Sequence, residues 1–207
     1  MAVTRAPAKP NLVFILPDRL RQDTSAAYGN DWIQSSHMDA MASESFVFEH
    51  CYVTQPVCAP ARASIMTGLY PPTAGMPRNR LVMPPDVQTI AQMLPDEYTT
   101  AYVGKWHLGA DVGHGRDWDY SVIWDRMGKK NGSAYYYNTQ VRYNGGERVP
   151  LGGYSTDRYT ELAVDYIQNK SKEDEKPPCK LCGKNSLYYC NMNDQYFCSI
   201  HVVGHDE

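Results

Sequence analysis

The order of apolar runs along this 207-residue chain predicts an α/β fold followed by a small cysteine-rich module, and three observations carry that reading. Asn11-Leu12-Val13-Phe14-Ile15-Leu16 is a short continuous apolar run, the pattern of a parallel strand covered on both faces. Ile90, Met93 and Leu94 recur at helical spacing and are followed by Thr100 to Val103 as a strand, the helix-then-strand alternation of an α/β layer. Four cysteines, Cys179, Cys182, Cys190 and Cys198, crowd the end of the chain.

Taken in order, the first run places Asp18 just beyond the carboxyl end of its strand. Ligands of open α/β sheets gather there, so an acid at that point reaches a site without crossing the core. Without further context Asp18 reads first as a solvated turn aspartate. Pro84-Pro85-Asp86 leads into the helix at Ile90. From Tyr135 to Val149 the chain is aromatic and glycine-rich, and Asn144-Gly145 between extended segments predicts a hairpin, with the tyrosines in packing and surface roles rather than as a binding platform. Tyr159, Leu162, Ala163, Tyr166 and Ile167 form one apolar face of a helix starting near Thr156 or Asp157. The charged stretch from Lys170 to Pro178 ends in two prolines and reads as a boundary, dividing the chain into a domain over 1–169, a linker over 170–178 and a tail over 179–207.

Composition narrows the function classes. With 43% hydrophobic and 21% charged residues the chain reads as globular. Its net charge of -3 supplies no basic field, so nucleic acid is not an expected partner. No run of about 18 apolar residues is present, so no transmembrane helix and no membrane partner are expected. Leu12 to Leu16 is too short for the apolar region of a signal peptide and lacks a small-residue cleavage site, so an intracellular, cytoplasmic protein is expected. In that compartment, crowded cysteines argue for metal rather than disulfides.

Two motifs carry the chemistry. Cys58-Ala59-Pro60-Ala61-Arg62 has the form C-x-P-x-R and continues as Ala63-Ser64-Ile65-Met66-Thr67-Gly68. Downstream, Tyr98-Thr99-Thr100-Ala101-Tyr102-Val103 runs into Gly104-Lys105-Trp106-His107, with Glu97 in front of it. With the strand ending at Asp18, the lead-in Thr54-Gln55-Pro56-Val57 and the later Ser155-Thr156-Asp157-Arg158, these make the chain resemble the sulfatase family from about Pro10 to about Lys176. Glu97 stands where that family usually has glycine.

The resemblance implies an incomplete alkaline-phosphatase-like sulfatase domain and a sulfuric ester hydrolase by ancestry, acting on a sulfate ester. It makes Cys58 the precursor of formylglycine, since C-x-P-x-R is the sequence that the maturation enzyme converts. A sulfate ester is anionic and poorly electrophilic, so attack on sulfur needs a strong nucleophile and positive charge around the developing oxyanions. Hydrated formylglycine supplies the nucleophile. By the same resemblance Arg62 anchors the hydrate, Lys105 contacts sulfate and nucleophile, and His107 assists the proton transfer that releases sulfate. A Ca²⁺ or Mg²⁺ ion would sit beside the nucleophile on oxygen ligands, of which Asp18 is the one assignable here. Many relatives place Asp or Gln after that aspartate, whereas Arg19 follows it in this chain and repels a cation. Family members usually continue for several hundred residues, which supply a further His, a distal metal pair and a further Lys. None of these is found in the 207 residues, so the isolated chain is expected to be impaired. Outside the two motifs Cys58 would read as a small buried hydrophobe, Arg62 and Lys105 as surface charges and His107 as a satisfied polar residue.

The tail reads Cys179-x2-Cys182-x7-Cys190-x7-Cys198-x2-His201-x3-His205, soft and borderline ligands at the spacing that Zn²⁺ takes. It is similar to a B-box zinc finger, a cross-braced module that mediates protein contacts. That resemblance implies one site from Cys179, Cys182, Cys198 and His201. It implies a second from Cys190, a ligand near Asn193 or Asp194, and His205. The alternative function is therefore a non-catalytic fusion or truncated protein that binds a protein partner through a zinc-dependent tail.

Overall fold

The computed structural model describes residues 10–18, 20–109, 116, 118–125, 136–137, 139–170, 188–190 and 195–197. The chain divides into two compact units, Met1–Tyr52 and Val53–Glu207.

The first unit holds two 3-10 turns, Gln22–Thr24 and Ala26–Tyr28, and a helix α1, Ser36–Ser43. Side chains close its loops onto backbone. Gln22 Nε2 donates to the Glu49 carbonyl at 2.7 Å, and the Tyr28 hydroxyl donates to the Phe48 carbonyl at 2.9 Å. The strand expected at Asn11–Leu16 is not formed. Leu12, Val13, Phe14, Ile15 and Leu16 are all exposed, at 66%, 65%, 69%, 74% and 41%. An all-apolar strand needs hydrogen-bonded neighbours and cover on both faces, and no described segment of this unit supplies either.

The second unit is built around a four-stranded mixed sheet in the order β1-β2-β3-β4: Ala101–Lys105, Tyr120–Trp124, Gln140–Tyr143 and Arg148–Pro150. β1 and β2 are parallel, from Ala101 against Tyr120 to Lys105 against Trp124, and the remaining pairs are antiparallel. The strand predicted from Thr100 to Val103 is thus present, starting one residue later and reaching Lys105. Asp119 Oδ2 accepts the Thr100 amide at 2.7 Å and the Thr100 hydroxyl at 3.0 Å, fixing the start of β1 against that of β2. The hairpin predicted at Asn144-Gly145 joins β3 to β4. Both residues have positive φ, 46° and 74°, the backbone for which Asn and Gly are the tolerant residues.

Helix α2, Cys58–Thr67, precedes the sheet. Pro60 stands in its first turn, where a missing N–H removes no intrahelical bond, and Gly68 ends the helix at φ 70° with its amide on the Ser64 carbonyl at 2.8 Å. Ala59, Ala63 and Met66 share one face and are buried with Ala74, Met76, Met83, Trp106, Leu108 and Ile123.

The helix predicted at Ile90, Met93 and Leu94 is a single turn, α3, Ile90–Met93, opened by a capping box of Thr89 and Gln92. Its expected apolar face is not its buried one: Ile90 and Met93 are 45% and 54% exposed and only Ala91 is buried. Pro95 is the physical reason. It drives Leu94 to extended backbone, ψ 146°, and the helix stops before a stripe can form.

Helix α4, Ser155–Lys170, begins one residue before the predicted start. Tyr159 and Leu162 pack on a second core of Val122, Trp124, Val141 and Leu151, and Tyr166 stacks on Tyr120 with centroids 5.0 Å apart. Ile167, assigned to the same stripe, is exposed. In the tail, β5, Tyr188–Cys190, pairs antiparallel with β6, Gln195–Phe197. The linker over 171–178 and the candidate ligands Cys179, Cys182, Cys198, His201 and His205 lie outside the described residues. Among the described residues no helix is long and apolar enough to cross a membrane.

Candidate active site

Cys58 is the first residue of α2. Val57 before it has extended backbone but no side-chain oxygen, so the helix has no cap of its own. A turn further along the chain supplies one. Asn79 Oδ1 accepts the Ala59 amide at 3.0 Å and the Cys58 thiol at 3.4 Å.

One turn into α2 comes Arg62, buried at 7% exposure. Its Nη1 donates to the Lys105 carbonyl at 2.6 Å and to the Tyr102 hydroxyl at 3.3 Å, while that hydroxyl itself donates to the same carbonyl at 2.6 Å. Burial pushes the Tyr102 phenol above its ordinary range, against the opposing pull of the Arg62 charge, so the hydroxyl stays a donor. The Tyr102 ring meets Trp106 edge-on at 5.3 Å. This cluster fastens α2 to the carboxyl end of β1.

Lys105 ends β1, and His107 follows two residues on. Trp106 between them is fully buried, with its amide on the Trp124 carbonyl at 2.9 Å, and Leu108 is held through its carbonyl by the Met83 amide at 2.8 Å. His107, buried at 7% exposure, is pinned from both sides at φ 61°. A left-handed backbone at a histidine costs about 1–3 kcal/mol and persists only where neighbours over-determine it, a feature concentrated at functional sites.

In the second unit α2 carries Cys58 and Arg62, β1 ends at Lys105 with His107 just beyond it, and the Arg62–Tyr102 hydrogen bonds join the helix to the end of the strand. Asp18 belongs to the first unit, where it is exposed, and Arg19 lies outside the described residues. Among the described residues, no three His, Cys, Asp or Glu side chains come together as a group that could hold a metal ion. The residues described do not by themselves fit a divalent cation. Two residues of the cluster escape a reading from sequence. Tyr102 sits inside the second motif but acquires its role only by packing on Arg62. Asn79 lies in a turn with no local signal.

The sulfatase family profile matches residues 10–177, most of the chain. The chain belongs to the sulfatase family. An N-acetylglucosamine-6-O-sulfatase of Bacteroides thetaiotaomicron is 29% identical over 174 residues, which is 84% of this chain and 30% of that protein. An ulvan-active sulfatase of Formosa agariphila is 35% identical over 181 residues, 81% of this chain and 34% of that protein. The structure of BT4656 in complex with its substrate D-glucosamine-2-N,6-O-disulfate superposes with a TM-score of 0.62 at 30% identity, over 71% of this chain and 28% of that one. The chain thus spans about a third of the length of these curated relatives. Its ancestry is that of a sulfuric ester hydrolase, in a family that uses formylglycine and a divalent cation on sulfate esters.

Proposed function

We propose that this chain is the nucleophile-bearing part of a formylglycine-dependent sulfatase, with Cys58 as the residue converted. The observation that carries the reading is the joint placement of Cys58 and Arg62 on the first two turns of α2, with Arg62 bonded to the carbonyl of Lys105. Helix N-termini carry partial positive charge, and an anionic sulfate beside the first turn of α2 meets that field together with Arg62 and Lys105. In this reading Arg62 anchors the hydrated nucleophile and Lys105 contacts the sulfate oxygens. His107, held at a fixed backbone angle, assists the proton transfer that re-forms the aldehyde and expels sulfate. A divalent cation, when bound by a complete site, supplies electrostatic stabilisation. Asp18 is this chain's own candidate ligand. Sulfated saccharides are the first substrates to test, because relatives and a structural neighbour are named for them. Co-expression with a formylglycine-generating enzyme, followed by peptide mass spectrometry, should find the aldehyde at position 58.

The hairpin of β5 and β6 supports a second reading for the tail. Its register pairs Cys190 with Gln195 at the turn end, while Phe197, which precedes Cys198, pairs with Tyr188 at the open end. This reading assigns Cys198 with Cys179, Cys182 and His201 to one site and Cys190 with His205 to another, in a zinc-dependent protein-interaction module. The reduced 207-residue chain should then bind close to one Zn²⁺ tightly, measured by competition with a chromogenic chelator. Cys182→Ser should remove that site and His205→Ala should do less. Equal loss from both substitutions would rule out the cross-brace, and no uptake of Zn²⁺ or Co²⁺ would rule out the module.

A further inference from the structure

We infer that Asn79 is a positioning residue for the nucleophile at position 58, an inference that rests on the sulfatase reading of Cys58 above. The geometry is specific. One carboxamide oxygen takes both the Ala59 amide, an orphan donor of the first turn of α2, and the Cys58 Sγ. Val57 cannot cap, and the same distant side chain both caps the start of the helix and accepts from the thiol of residue 58. The turn that carries Asn79 is itself held. Gln55 Nε2 donates to the Pro77 carbonyl at 3.1 Å, and Arg80, next to Asn79, takes a left-handed φ of 69°.

The consequence concerns the mature residue. Formylglycine keeps the Cβ position of the cysteine, and its hydrate bears hydroxyl donors where the thiol stood. An acceptor fixed at the first turn takes one of these hydroxyls and leaves the other to face the substrate. Asn79 thus selects which hydroxyl attacks, without touching the sulfate. A carboxamide suits the task because its oxygen is an acceptor at every pH and adds no negative charge beside an anionic substrate.

Iodoacetamide labelling of the full chain tests this, read cysteine by cysteine by peptide mass spectrometry. Exposed Cys51 serves as the internal reference and half-buried Cys58 as the reporter. Asn79→Ala should raise Cys58 labelling at least about fivefold relative to Cys51, because the thiol loses the Asn79 acceptor and the first turn frays. Asn79→Asp keeps an oxygen acceptor at the same place and should stay within about twofold of the parent chain. Should Asn79→Ala fail to fold, Asn79→Gln displaces the acceptor by one methylene and gives the same reading. Unchanged Cys58 labelling in the folded Ala or Gln variant, or an equal rise in the Asp variant, would overturn the proposal. In converted protein, aminooxy capture of the aldehyde should accelerate in Asn79→Ala and be restored in Asn79→Asp. Absence of any aldehyde would reject the formylglycine reading, while the thiol experiment would still decide whether Asn79 positions residue 58.

Discussion

Arg116→Ala should destabilise the second unit by about 3–5 kcal/mol, a large share of the about 5–15 kcal/mol that holds a typical domain folded. Arg116 is 2% exposed, and its guanidinium donates to four backbone carbonyls: Val87 at 2.7 Å, Met83 and Pro84 at 3.0 Å, and Pro85 at 3.3 Å. A planar five-donor fork can satisfy such a cradle, whereas a lysine ammonium has three donors on a narrower point. Truncation leaves buried acceptors without their charged donor, and each charge-assisted bond is worth about 1.5–3 kcal/mol. The damage reaches the site. Met83, whose carbonyl Arg116 holds, is also the residue whose amide pins Leu108 next to His107. Urea denaturation should place Arg116→Lys between the parent chain and Arg116→Ala. A loss below about 1 kcal/mol for Arg116→Ala would contradict the cradle's role.

Even when fully converted at position 58, the 207-residue chain should release sulfate from aryl sulfates at least about 10³-fold more slowly than a complete relative. Loss of a single preorganised electrostatic donor costs about 10²–10³ in rate. We propose that several are missing together from the 207 residues tested, since no distal His, Lys or metal pair is assigned among them. Supplying Ca²⁺ or Mg²⁺ should not restore the rate, since Asp18 alone falls far short of the six to eight oxygens that Ca²⁺ takes. Turnover near that of a complete relative, abolished by Cys58→Ala, would show that the catalytic constellation is whole.

Much of the second unit was legible from local pattern. Asn144-Gly145 marked its hairpin because that dipeptide accepts positive φ at both positions, and the stripe from Tyr159 to Tyr166 marked α4 because its period matches a helix laid on a sheet. The failures share a cause. A continuous apolar run such as Leu12 to Leu16 specifies a strand only when partners flank and cover it, and the described residues of its own unit provide none. The short apolar spacing at Ile90 carried no information about burial once Pro95 cut the helix to one turn. Of the proposed site, Cys58, Arg62, Lys105 and His107 can be named from sequence because their motifs are linear. Tyr102 and Asn79 were not, since each acts across a separation of tens of residues, Tyr102 on Arg62 and Asn79 on Cys58. The left-handed angle of His107 was hidden for the same reason, being imposed by the pinning of Trp106 and Leu108.

The central claim is that Cys58 is a nucleophile precursor rather than a structural thiol, and the mass of the peptide that contains it tests this most directly. The chain should be expressed with a formylglycine-generating enzyme, beside a control sulfatase converted in the same cells. The Cys58 peptide should carry the aldehyde or its hydrate, Arg62→Ala should reduce the converted fraction by disrupting C-x-P-x-R, and Cys51 should remain a thiol throughout. An unmodified thiol at Cys58 in every preparation, with the control converted, would contradict the account.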